Sequence, residues 1–192
     1  MESLQDTNKR EGSGMRQILA ALIAMICIWS GYSGGGVEWI GGSGSEVALQ
    51  ANGESDFPGD YQVPDGWVKS ETNSTEQKIF YVQEGHEADE RPDNISISVG
   101  ENRYAAEDHL QFRDAIFRQL AFQTQGLDAE LTGEGSFTEQ GYPIYIFTIE
   151  EKADGVITRQ YYVVGEQRYC LIHLTSFAGD KGTYQAAQDM AD

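Results

Sequence analysis

At 192 residues, with 40% hydrophobic and 11% aromatic side chains, the chain supports one buried core with a tail to spare. Its net charge of −18 argues against nucleic acid as a partner, because phosphate binding needs a basic face, and it disfavours an anionic membrane surface for the same reason. Residues 1–34 balance Lys9, Arg10 and Arg16 against Glu2, Asp6 and Glu11, so the excess acid falls on the remainder, where it serves solubility or faces a cationic partner or divalent ions.

Residues 1–14 form a polar extension, and Met15 followed by Arg16 makes an alternative translation start. Residues 18–29 are continuously apolar, with Ser30, Gly31, Ser33 and Gly34 just beyond. An apolar run of about 7–15 residues behind a basic end fits a secretory signal, whereas a membrane-spanning helix takes roughly 20. Residues 15–33 therefore read as a signal peptide, with cleavage after Ser33 placing Gly31 and Ser33 at the small-residue positions. The alternative is an uncleaved anchor with Trp29 and Tyr32 at the interface. Either way the globular part lies outside the cytoplasmic membrane, secreted or anchored, and touches a membrane only through this segment. Cys27 is preceded by Ile26, where lipid attachment wants a small residue. Cys170 lies in a predicted strand and reads as a small buried hydrophobe, so no disulfide is expected.

Residues 34–59 are rich in Gly, Ser and acid, the composition of a flexible linker. Residues 60–192 read as one globular domain. Pro64 and Gly66 set a tight turn ahead of Trp67, which is placed on the domain edge. Residues 78–83 read as a strand, residues 84–93 as an acidic loop, and residues 94–99 as a strand with Ile95, Ile97 and Val99 on one face. Over residues 105–124 the period becomes helical. Ala106, Leu110, Phe117, Leu120 and Ala121 define the core stripe, with Ile116 beside it, and Phe112 and Phe122 fall outside. Gly126 stops the helix. Residues 129–138 form a strand weakened by Gly133 and Gly135. Residues 142–177 then give three β-rich runs separated by turn signals at 152–155 and 165–167, an antiparallel meander. In its first run Ile144 and Ile146 face one way, and Tyr145, Phe147 and Ile149 the other, which implies a sheet covered on both sides. Residues 184–190 form a short terminal helix. The fold class is α+β.

The order of these elements carries a resemblance. The run Pro64-Asp65-Gly66-Trp67, the strand Asn94-Ile95-Ser96-Ile97-Ser98-Val99, one long helix, the meander opening Gly141-Tyr142-Pro143-Ile144-Tyr145, and the strand at 169–177 with its terminal helix resemble the Mog1/PsbP-like superfamily, including its small exported bacterial members. The resemblance covers roughly residues 60–192. It implies a central antiparallel β-sheet flanked by helices, an α/β/α sandwich, and a non-enzymatic accessory role. The family usually continues past the last helix, whereas this chain stops at Asp192, which predicts a short or frayed terminal helix. The lack of a lipid-attachment cysteine separates the chain from the lipoprotein relatives.

His86 in the acidic loop has carboxylates around it but not the fixed spacing of a calcium loop, so a solvated loop is the expectation. His109 and Arg113, four residues apart on the long helix, border its stripe and could line a groove with Asp108 or Asp114. His173 alternates with Leu171 and Thr175 in a strand and reads as structural. Cys170 and His173 have an odd separation and face opposite ways, so they make no nucleophile–base pair. Ser136 and Ser176 lack the context of a nucleophile elbow. Glu150 and Glu151 face opposite ways, which argues against paired-carboxylate chemistry. Gly133 and Gly135 precede no phosphate-binding helix. No catalytic residue, cofactor-binding residue or metal ligand is assigned, and no cofactor is expected. Tyr142, Tyr145, Tyr161, Tyr162 and Tyr169 cluster in the meander, either as core or as interface side chains. The function expected is an exported, non-catalytic accessory domain binding a protein partner through an acidic, tyrosine-bearing surface. The alternatives are a hydrolase using carboxylates and one histidine, or an ion- or solute-binding module.

Overall fold

The computed structural model describes residues 61–177, 179 and 181–191. The readings of residues 1–14, 15–33 and 34–59 lie outside them. Seven strands run in chain order as β1 Trp67–Lys69, β2 Lys78–Gln83, β3 Asn94–Glu101, β4 Ala129–Phe137, β5 Pro143–Glu151, β6 Ile157–Val164 and β7 Arg168–Ser176. Helix α1, His109–Gln123, lies between β3 and β4 behind a 3-10 turn at Ala106–Asp108, and helix α2, Lys181–Ala191, follows β7. The strands form one sheet in the order β1-β2-β3-β7-β6-β5-β4, antiparallel at every step. This is an α+β fold. Among the described residues no helix is long and apolar enough to cross a membrane.

Local sequence explains most of the boundaries. Gly66, at φ +83°, lets the Trp67 N–H turn back to the Pro64 carbonyl at 3.2 Å. Gly126, at φ +89°, follows the end of α1, where the Thr124 N–H still reaches the Leu120 carbonyl at 2.9 Å. Trp67 does lie on an edge, as the first residue of β1. That short strand was not anticipated, and the Trp67 ring is buried in the core with Tyr81 and Ile95.

The sheet alternates as expected. Ile144, Ile146, Tyr161, Val163, Ile172 and Leu174 form a core with Ala186, Ala187 and Met190 of α2. Their neighbours in the strands pack against α1 instead: Phe112 meets Tyr162 at 5.8 Å and Tyr169 at 5.3 Å between ring centroids, and Phe117 meets Phe147 at 6.1 Å.

The face that α1 buries differs from the expected one. Phe112, Ile116 and Leu120 are buried, whereas Leu110 is 49% and Phe117 40% exposed, and Ala121 is exposed too. Phe112, set outside the stripe by periodicity, is the helix's most buried side chain. The reason is tertiary. Apolar residues occur on two sides of α1, and Tyr162 and Tyr169 offer a ring-lined seat only to the side carrying Phe112. Burying each of the three side chains contributes about 1.5–3 kcal/mol.

A groove between helix α1 and the edge strand β4

Strand β4 ends the sheet, paired on one side with β5 over nine unbroken register positions from Ala129↔Glu151 to Phe137↔Pro143. On its α1-facing side stand Leu131, Gly133, Gly135 and Phe137, by the two-residue period of a strand. The two glycines leave a gap into which neighbouring rings lean. A Cβ at Gly133 would sit 3.1 Å from Phe147, and one at Gly135 would sit 3.0 Å from Tyr145. Aromatic rings covering edge glycines in this way stabilise a sheet that would otherwise lack side-chain contacts there. The result is a groove of about 490 Å³, with ring faces and glycine backbone as its floor and the second apolar side of α1 as its wall. Leu110, Phe117 and Phe137, the last 62% exposed, border it.

One polar pair sits at the end of the groove. His109 Nδ1 and the Tyr145 hydroxyl are 2.5 Å apart, with the two ring planes inclined by only 21°. Burial raises the Tyr145 phenol above its ordinary range; Arg113 opposes the shift and Asp114 adds to it. The phenol therefore stays protonated at neutral pH and keeps an O–H to offer along this contact.

The acids near His109 are engaged elsewhere. Asp114 accepts from Arg113 Nε at 2.8 Å and Nη2 at 2.6 Å, and Glu134 accepts from Arg159 Nη2 at 2.8 Å. The groove thus brings together His109, Arg113 and Asp114, as anticipated, but joins the imidazole to a phenol rather than to a carboxylate. Asp108 is turned to Gln111, whose Nε2 donates to it at 2.7 Å.

The other candidates are dispersed. His86 pairs with Asp89 at 2.7 Å in the exposed loop, and among the described residues no group of three His, Cys, Asp or Glu side chains is placed to hold a metal ion. His173 is fully enclosed; burial first, then the charge of Lys78, pushes its imidazole down to about 3. Cys170 belongs to the core shared with α2, and burial pushes its thiol up to about 12. Glu150 is exposed and Glu151 buried, on opposite faces; burial first, with Asp154 adding, raises the Glu151 carboxyl. Ser176 donates to Asp93 at 2.7 Å, a structural role, and Ser136 lies on the exposed edge strand.

The tyrosine-bearing surface is not present. Tyr145, Tyr161, Tyr162 and Tyr169 are all buried, and of the meander tyrosines only Tyr142 reaches solvent. Both faces of the central strands are covered, so alternation leaves no outward side for them. Apart from Tyr142, the exposed large aromatic side chains among the described residues are phenylalanines: Phe122, 74% exposed, Phe137 and Phe117. Two signals in the sequence could have found the groove. One is the second apolar stripe of Leu110, Phe117 and Ala121; the other is a pair of glycines two apart on one face of a terminal strand.

The fold and this groove define a small α+β domain with an open apolar channel along one sheet edge. No family model matches the chain, and no curated protein matches it. Among solved structures it is similar to LpqN, described as involved in cell envelope biogenesis of Mycobacterium tuberculosis, with a TM-score of 0.46 and 16% sequence identity over 69% of this chain and 79% of that one.

Proposed function

We propose that this chain is an exported, non-catalytic accessory domain of Mog1/PsbP-like type, its sheet sandwiched between two helices, and that it binds a protein partner along the groove between α1 and β4. The observation that carries this reading is the exposed apolar border of Leu110, Phe117 and Phe137 around a channel in which His109 meets a phenol and the two lining acids, Asp114 and Glu134, meet arginines. Exposed apolar surface grouped in this way marks interaction sites, whereas hydrolytic chemistry asks for an imidazole and carboxylates at bonding distance. The apolar segment at residues 18–29, with the small residues that follow it, supports the export part of this reading.

The test is site-specific photo-crosslinking in the native cell envelope. A crosslinking side chain at Phe137 is expected to give one discrete protein adduct that Leu110→Asp removes, with no such adduct from the exposed control position Glu76. No adduct at Phe137, or the same adduct from both positions, overturns the reading.

A further inference from the structure

The two edges of the sheet are unlike. β1 has three residues, whereas β4 has nine, carries no proline and no lysine, and keeps an unbroken register with β5. Its outer side pairs with no described strand. In an antiparallel strand alternate residues direct their N–H and C=O groups away from the existing neighbour, so β4 offers a row of backbone donors and acceptors to an incoming chain. Natural edges of this length are usually blunted by bulges, prolines or lysines. Here the only charges on the strand are Glu130 and Glu134.

Those two glutamates bias what the edge accepts: Glu130 stands 3.9 Å from Lys152 and Glu134 2.8 Å from Arg159, and the cations of an added strand would share these exposed carboxylates with them. Four residues apart, Glu130 and Glu134 share the face opposite the groove, and their side chains are 61% and 63% exposed. On the groove face Gly133 and Gly135 bring no side chain of their own and the Phe147 and Tyr145 rings lie over them, so apolar side chains of an added strand would meet ring surface there, next to Phe117 and Phe137. We infer that β4 is an acceptor for strand addition. Its ligand is an extended peptide segment of a partner protein, with two lysines or arginines four residues apart on one face and apolar side chains on the other. This rests on the groove being the partner-binding face and names how the partner is held: main-chain bonds give affinity, and the two faces give selectivity.

Charge excludes the two nearest alternatives. A second copy would lay its own Glu130 and Glu134 on the same face as the first, and like charges across paired strands are destabilising. Residues 34–60 of this chain carry Glu38, Glu46, Glu54, Asp56 and Asp60 but no lysine or arginine, so they supply no cation to that face.

The probe is a synthetic peptide of nine residues, matching β4, with the sequence Thr-Val-Lys-Val-Thr-Val-Lys-Val-Thr. Fluorescence anisotropy with the full chain at low salt is expected to show saturable binding, weakened about tenfold or more when glutamate replaces both lysines. The double variant Glu130→Lys with Glu134→Lys is expected to reverse that preference. Circular dichroism checks its fold, since Lys152 and Arg159 lose their partners. Two N-methylated peptides, one blocked at the valines and one at the intervening residues, separate strand addition from side-chain docking. One of them should lose binding and the other keep it, because only one set of N–H groups points at β4. In the complex, amide exchange should slow along β4 and stay unchanged along β1.

Absence of binding by the parent peptide overturns strand addition, as does an equal response to the two N-methylated peptides. So does a β4-protected dimer of the chain without peptide, seen by sedimentation. If the parent peptide fails while the Phe137 adduct persists, strand addition falls and the groove reading stands. If the adduct is missing as well, both fall.

Discussion

The carboxylate of Asp93 holds Thr183, 90 residues further along the chain, through a 3.0 Å hydrogen bond donated by the threonine Oγ1. The same carboxylate accepts from Ser176 Oγ at 2.7 Å and from the Phe177 N–H at 2.7 Å. One side chain at the start of β3 thus ties the end of β7 to the first turn of α2. Hydrogen bonds to an ionised acceptor are stronger than neutral ones, and the Ser176 and Thr183 side chains are fully buried. Asp93→Ala is expected to destabilise the domain by about 3 kcal/mol in denaturant titration. Asp93→Asn should lose less. Amide exchange in α2 should accelerate before that of β6 and β7, and unchanged exchange in α2 would remove Asp93 as its anchor.

Gly100 and Tyr169 face each other across β3 and β7. A Cβ on residue 100 would lie within 2.3 Å of the Tyr169 ring, which is itself packed on Phe112 at 5.3 Å and Tyr162 at 5.5 Å. That ring has nowhere cheap to go. Gly100→Ala is expected to destabilise by about 2 kcal/mol through overpacking, more than Gly133→Ala, where the ring contact is 3.1 Å. Equal thermal melts for the two variants would contradict the ranking. Gly100→Ala combined with Tyr169→Leu should lose less than the sum of the two single changes.

The His173 imidazole is held down to about 3 by burial and by Lys78, from an ordinary value of 6.5. Between those values the unfolded chain binds a proton that the folded chain does not. Stability from this group is complete above pH 6.5 and is lost as the pH falls towards 3, at up to about 1.4 kcal/mol per pH unit. His173→Gln should flatten the acid side of the stability profile by that slope. Carboxylate contributions are common to both proteins and cancel in the difference. Parallel profiles would show that the imidazole is not held neutral.

The Cys170 thiol, pushed up to about 12 by burial, is un-ionised at neutral pH. In a Cys27→Ser background, a thiol reagent at pH 8 should label the native chain only as fast as it unfolds globally, with a rate that rises with denaturant as the β7 amide exchange rates do. Labelling much faster than β7 exchange would mean that the strand opens locally.

Much of this fold is written in local pattern. The alternation of Ile95 with Ile97, the helix stop at Gly126 and the turns between the meander strands each follow from a few neighbouring residues, and each stands where periodicity places it. What the pattern could not decide was which of two apolar sides α1 buries. The sides carrying Phe112 and Leu110 are both amphipathic on their own terms, and Tyr162 and Tyr169, some 50 residues away, make the choice. The tyrosines misled for a related reason: a residue suited to interfaces is equally suited to a sheet covered on both faces. Within the groove, His109, Arg113 and Asp114 were legible as neighbours on one helix. Tyr145 was not, because its hydroxyl reaches His109 across 36 residues of sequence.

The register of β3 against β7 has a kinetic corollary. Strands β4, β5, β6 and β7 pair with one another in sequence order, so these four can zip from turn to turn as soon as they exist. β1, β2 and β3 can form their own small ribbon, but it has no place to attach until the last strand arrives. Assembly should therefore nucleate late in the chain and recruit the early strands last. A nascent polypeptide halted before Arg168 would present Ile95 and Ile97 unsheltered, the state in which a holdase would find most to grip.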